Sequence, residues 1–99
     1  MNITVQRDDS GVTLLVEGRV DTNTSPQLQA ELLKQFQSAK RLTVDFAQVP
    51  YISSAGLRAL LIGQKTAAAK GASLVLTHIQ EQVMSVLELS GFDAILTIV

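Results

Sequence analysis

Val44-Asp45-Phe46-Ala47-Gln48-Val49-Pro50-Tyr51-Ile52-Ser53-Ser54-Ala55-Gly56-Leu57-Arg58-Ala59-Leu60-Leu61 passes from a strand through a break into a helix. Leu42, Val44 and Phe46 are apolar on alternate residues, the period of a strand with one buried face. Pro50 has no N–H to give a ladder, so the strand is not expected far beyond Ala47. Leu57, Leu60 and Leu61 then recur at the spacing of a helical face. Two adjacent hydroxyls, Ser53 and Ser54, stand where that helix begins.

A serine there has two readings. Its oxygen can accept from the first free backbone N–H groups as an N-cap. It can also be an exposed side chain at the positive end of a helix dipole, a place that tolerates phosphate and that a kinase reaches without unfolding the chain.

Downstream, Thr66-Ala67-Ala68-Ala69-Lys70 favours helix and Gly71 ends it. Leu74-Val75-Leu76 is short enough for a buried strand. A third helix, roughly Glu81 to Ser90, presents Val83, Met84, Val86 and Leu87 and stops at Gly91. Ala94-Ile95-Leu96-Thr97-Ile98-Val99 reads as a last edge strand.

Upstream, Ile3 and Val5, then Val12, Leu14 and Val16, alternate on either side of the turn-forming Asp8-Asp9-Ser10-Gly11, which predicts an antiparallel hairpin. Asp21 to Pro26 is a polar loop, with Ser25 expected as N-cap and Pro26 at the first helical position. Leu28, Leu32, Leu33 and Phe36 mark the face of the helix that follows. Helices alternating with strands after a hairpin imply right-handed crossovers. The expected architecture is α/β: one domain over residues 1–99, an N-terminal antiparallel hairpin leading into a mixed, largely parallel sheet of about four to five strands, with about three to four helices.

The chain has 99 residues, of which 46% are hydrophobic, 4% aromatic and 17% charged. That is a globular composition with an aliphatic core, supplemented by Phe36, Phe46 and Phe92. The formal net charge is -1, and Lys40-Arg41 is the only cationic cluster in the sequence, so direct nucleic-acid binding is not expected. With no cysteine and the single His78, neither a disulfide framework nor a thiolate or multi-histidine metal site is expected. No run approaches the roughly 18 apolar residues of a membrane span, and the N-terminus lacks a secretory pattern. The expectation is a cytoplasmic protein without membrane insertion.

The serine stretch resembles the central signature of STAS domains, the family of bacterial anti-sigma factor antagonists, which reads strand-Asp, loop, aromatic-hydrophobic-Asp-Ser-x-Gly-Leu. Alignment on Gly56-Leu57 puts the family's phosphorylated serine on Ser54. The preceding position, usually aspartate, is Ser53 here. Glu17-Gly18-Arg19-Val20-Asp21 is similar to the family's Gly-x-hydrophobic-Asp element, and Leu87-Glu88-Leu89-Ser90-Gly91-Phe92-Asp93 to its C-terminal helix end.

By this resemblance the unphosphorylated protein binds an anti-sigma factor, a serine kinase with a GHKL-type ATP site, and so frees a sigma factor. Phosphorylation of Ser54, with Ser53 as second choice, would abolish that binding, and a serine phosphatase would restore it. Asp21, Thr22, Asn23, Ser53, Ser54, Gly56 and Arg58 would form the contact surface. The alternative is a constitutive STAS adaptor in a lipid-transport or stress-sensing complex, with no phospho-switch.

Each of these residues also has a plain reading. Asp21 is a turn-stabilising carboxylate, Gly56 a tolerated first-turn glycine, Arg58 a solvated cation, and His78 a loop or capping histidine. No catalytic residue is expected: Gly-x-Ser-x-Gly is absent, and Asp45 and Asp93 sit at unconstrained positions around one histidine. Neither phosphate-loop motif occurs, so no cofactor is expected and any nucleotide would be held by the partner kinase.

Overall fold

The structure is a computed structural model that describes residues 1–99. Strand β1 (Asn2–Asp8) and strand β2 (Gly11–Glu17) form the expected hairpin, paired from Asn2↔Glu17 to Asp8↔Gly11. Helix α1 (Ser25–Gln35), strand β3 (Arg41–Gln48), helix α2 (Ser54–Ala69), strand β4 (Ser73–Thr77), helix α3 (Glu81–Ser90), a 3-10 turn (Phe92–Ala94) and strand β5 (Thr97–Ile98) follow. The sheet order is β1-β2-β3-β4-β5, antiparallel in the hairpin and parallel thereafter.

A strictly sequential order has a geometric consequence. Right-handed crossovers that all advance in one direction set their helices on the same face of the sheet. Burial follows that rule. Val12, Leu14, Val16, Leu42, Val44, Phe46, Leu74 and Leu76 point into one core with Leu28, Leu32 and Phe36 of α1, Leu57, Leu60 and Ala67 of α2, and Val83 and Leu87 of α3. The other face carries Thr13, Leu15, Thr43, Asp45, Val75 and Thr77, half-buried among their neighbours.

Three local expectations are corrected. Helix α1 begins at Ser25, not after it, and Pro26 is its second residue. Thr24 precedes it in a helical conformation, and its hydroxyl makes no cap because it is bonded into the loop behind. The expected edge strand from Ala94 to Val99 shrinks to Thr97–Ile98, since Phe92–Ala94 coils as a 3-10 turn before the chain reaches β4. By contrast α2 ends as its sequence requires: Gly71 at φ 65 lets Ala72 N–H bond the Ala67 carbonyl at 2.8 Å and Gly71 N–H the Ala68 carbonyl at 3.3 Å. That pair of bonds is a Schellman cap.

Candidate functional site: the strand-to-helix turn before α2

Near its C-terminal end β3 carries a bulge: Leu15 pairs with Asp45 but Glu17 pairs with Gln48. The extra residue loses ladder partners, and side chains replace them. Asp45 Oδ1 accepts from Ala47 N–H at 2.8 Å, and Gln80 Nε2 donates to the Ala47 carbonyl at 2.9 Å. The other Asp45 oxygen lies 3.0 Å from His78 Nδ1. His78, at φ 56, is the one non-glycine residue with left-handed backbone, so the expected plain loop histidine is a strained residue tied across to β3. Asp45 is therefore employed in closing the bulge and holding the turn before α3.

Beyond the bulge the chain crosses to α2, and a second loop is fastened to it. Val20 and Ile52 make an isolated parallel bridge in which Val20 N–H donates to the Tyr51 carbonyl and Ser53 N–H to the Val20 carbonyl, at 2.9 and 2.8 Å. Both Val20 and Ile52 are buried. The bridge aligns Arg19 beside Tyr51, and the Arg19 guanidinium carbon sits 4.1 Å from the centre of the Tyr51 ring. Sequence reasoning left this pair out of the contact surface. The aromatic-hydrophobic start of the motif was visible, but its partner cation lies in a different segment.

The two serines divide the alternatives between them. Ser53 is the N-cap of α2: its backbone is extended and its Oγ accepts from Gly56 N–H at 3.3 Å. Ser54 is the first helical residue, exposed and without a hydrogen bond to its hydroxyl. The free hydroxyl at the positive helix end thus belongs to Ser54.

Gly56, expected on the contact surface, is buried. A Cβ there would stand 2.7 Å from side-chain carbons of both Ile52 and Val20, and 3.2 Å from the Val20 carbonyl oxygen. Its part is to let the bridged loop lie against the first turn of α2. Arg58, one turn on, is exposed.

Asp21 is an acceptor for its own turn. Oδ1 takes Asn23 N–H at 2.9 Å and Thr24 N–H at 3.0 Å, while Thr24 Oγ1 accepts from Asp21 N–H at 2.9 Å. This reciprocal pair caps the turn ahead of α1 and leaves Thr22 and Asn23 exposed at its tip. The Thr24 N–H, foremost among these donors, holds the Asp21 carboxyl below its usual range, with Asn23 N–H, the Thr24 hydroxyl and the Arg19 charge adding to it and partial desolvation opposing. The Val20–Ile52 bridge sets the turn closed by Asp21 beside the start of α2, so the two share one rim. No group of three or more His, Cys, Asp or Glu side chains stands close enough to hold a metal.

The Val20–Ile52 bridge, the close approach at Gly56 and the free Ser54 hydroxyl together define this turn. The family model described as "Mlab, STAS domain" matches residues 3–98. The chain belongs to the STAS domain family.

Curated relatives of this STAS domain include BtrV of Bordetella bronchiseptica, named for anti-sigma factor antagonism, at 34% identity over 96% of this chain and 83% of that protein. The anti-sigma-B factor antagonist of Listeria monocytogenes is 26% identical over 99% of this chain and 90% of its own. Among solved structures, phosphorylated SpoIIAA of Bacillus superposes with a TM-score of 0.75 at 14% identity, covering 99% of this chain and 91% of that one. An anti-sigma factor antagonist of Mycobacterium paratuberculosis gives 0.86 at 19%, covering 98% and 83%. At those identities the two superpositions speak for the fold. No helix of this STAS domain is long and apolar enough to cross a membrane.

Proposed function

We propose that this STAS domain is a non-enzymatic anti-sigma factor antagonist of the cytoplasm, released from its anti-sigma partner by phosphorylation of Ser54. The observation that carries the choice of residue is the division of labour at the turn. The Ser53 hydroxyl is engaged in the cap, whereas the Ser54 hydroxyl is free and exposed at the first position of α2. The curated relatives' names supply the partner class, an anti-sigma factor. A serine kinase of the GHKL type as that partner, and a serine phosphatase opposing it, belong to the same proposal.

Phosphorylation there adds about -1.5 to -2 charges and three acceptor oxygens. An exposed helix start favours that charge by about 0.3 to 1 kcal/mol, so the fold accommodates it. An interface does not: about 1.4 kcal/mol of unpaired-phosphate desolvation already weakens binding tenfold. In this proposal Asp21, Thr22, Asn23, Ser53 and Arg58 form the contact surface with Ser54, and Gly56 lets the Val20 loop lie close to α2.

A second reading, a constitutive adaptor in a lipid-transport or stress-sensing assembly, draws support from two observations. The matching family model names Mlab, and Ser53 stands where the antagonists usually have aspartate. Recovery of the tagged protein from its own cells separates the two. An anti-sigma kinase accompanying the unmodified form, with phosphate on Ser54 in the unbound pool and Ser54→Asp failing to bind, supports the switch. Transport-complex partners that tolerate both Ser54→Asp and Ser54→Ala support the adaptor.

A further inference from the structure

At the opposite end of β3 from the serine turn, folding assembles a cationic cleft that the sequence scatters. Arg7 at the end of β1, Lys40 before β3 and Arg41 at its start line a cavity of about 350 Å³ together with the Ser10 and Ser38 side chains. A neighbouring cavity of about 290 Å³ shares Ser38, Ala39 and Lys40 and adds Lys70 from the end of α2. Half of the eight Lys and Arg residues therefore border two adjoining cavities, although the net charge is -1.

These cations are unpaired. The one ion pair in the structure is His78 with Asp45, and none of Arg7, Lys40, Arg41 or Lys70 has a carboxylate within 4.0 Å. Two acidic residues, Asp8 and Asp9, also stand on the cleft wall, and Asp8 Oδ1 accepts from Ser10 N–H, the Ser10 hydroxyl and Gly11 N–H. Four cations thus face two carboxylates, an excess of two positive charges around the two cavities. The C-terminal dipoles of α1 and α2 account for cations near those helix ends, such as Lys70. They do not account for Arg7 and Arg41, which lie on strands. Two of the ten lining residues of the larger cavity are hydrophobic, so an apolar ligand would find little to bury against.

We propose that this cleft is a second binding site, specific for a phosphate group, with Arg7 and Arg41 as its principal ligands and the Ser38 hydroxyl as a neutral donor, the Ser10 hydroxyl being committed to Asp8. Guanidinium forks match phosphate oxygens in pairs, a fit that a spherical halide lacks. The phosphate could come from a free phosphorylated metabolite or from an anionic lipid headgroup. The site does not depend on the role given to Ser54, and it lies at the far end of α2 from it.

The test is a titration of the full ¹⁵N-labelled chain with pyrophosphate at constant ionic strength, followed by amide shifts, alongside sedimentation with phosphatidylglycerol and with phosphatidylcholine vesicles. Saturable shifts confined to Ser10–Val12 and Ser38–Arg41 support a soluble phosphate ligand. Sedimentation with phosphatidylglycerol vesicles alone supports a headgroup. In either case Arg7→Gln with Arg41→Gln, both on exposed side chains, should weaken binding by at least about tenfold. Non-saturable shifts, shifts centred on Ser53–Ala55, binding that survives the double substitution, or no binding to either probe would overturn it.

Discussion

Val20 and Ile52 form a lone parallel bridge, and Gly56 is the residue over which that bridge is laid. Two loops distant in sequence are thus joined by two backbone hydrogen bonds and one close approach. Everything proposed for the rim depends on that seat.

Gly56→Ala is accordingly expected to be destabilising, although alanine is the better helix former. The new methyl would meet Val20 and Ile52 carbons at 2.7 Å, and the Val20 carbonyl leaves it little room to retreat. Overpacking of this kind costs about 1–3 kcal/mol, so a drop in the thermal midpoint on the order of 5–15 °C is expected by calorimetry. An unchanged or raised midpoint would show that the loop is not seated on α2 in this way.

The serines should separate by stability before any partner is known. Ser53→Ala removes the acceptor for Gly56 N–H and should cost about 1 kcal/mol in urea unfolding. Ser54→Ala removes an exposed, unbonded hydroxyl and should stay within about 0.5 kcal/mol of the parent. The reverse order would exchange their roles and make Ser53 the free hydroxyl.

Much of this was legible in the chain. The hairpin, the parallel order and all three helices follow from apolar spacing, Pro26, Pro50, Gly71 and Gly91, because each acts within one or two turns of its own position. Contacts across the sheet were not. Nothing near Arg19 names Tyr51, nothing near His78 names Asp45, and Arg7 lies far in sequence from Lys40-Arg41. Ser25 was misread as a cap because the pattern Ser-Pro satisfies the local rule, while the reciprocal Asp21–Thr24 bonds that move the cap upstream are visible only when the turn is closed. Gly56, a costly residue inside a helix, signals a close approach by its type alone, but which residues approach it is visible only in the fold.

His78 offers a contrast between backbone and side chain. Its φ of 56 costs an L-residue about 1–2 kcal/mol, which glycine would relieve. Its bond to Asp45, with the imidazole 67% exposed, returns no more than about 1 kcal/mol. His78→Gly should therefore lie within about 1 kcal/mol of the parent, whereas His78→Val loses the bond and keeps the strain, with a β-branched side chain added. If both substitutions are equally damaging in chemical denaturation, the Asp45 bond matters more to the turn than the backbone conformation does.

Asp21 gives the loop before α1 a pH dependence of known sign. Its carboxyl is held below the ordinary value in the folded state, chiefly by Thr24 N–H, so the ionised form is the one the fold prefers. That stabilisation is fully present above the unfolded value of about 3.9 and is lost as pH falls through the lower folded one. As pH falls below the unfolded value of about 3.9, Asn23 and Thr24 amides should lose protection from hydrogen exchange together. Asp21→Asn should remove that dependence at these two amides while leaving the β1–β2 turn unaffected. There Asp8, lowered chiefly by the Ser10 hydroxyl, makes its own bonds to Ser10 and Gly11. Amides of Asn23 and Thr24 that still titrate in acid in the Asp21→Asn protein would place the controlling carboxylate elsewhere.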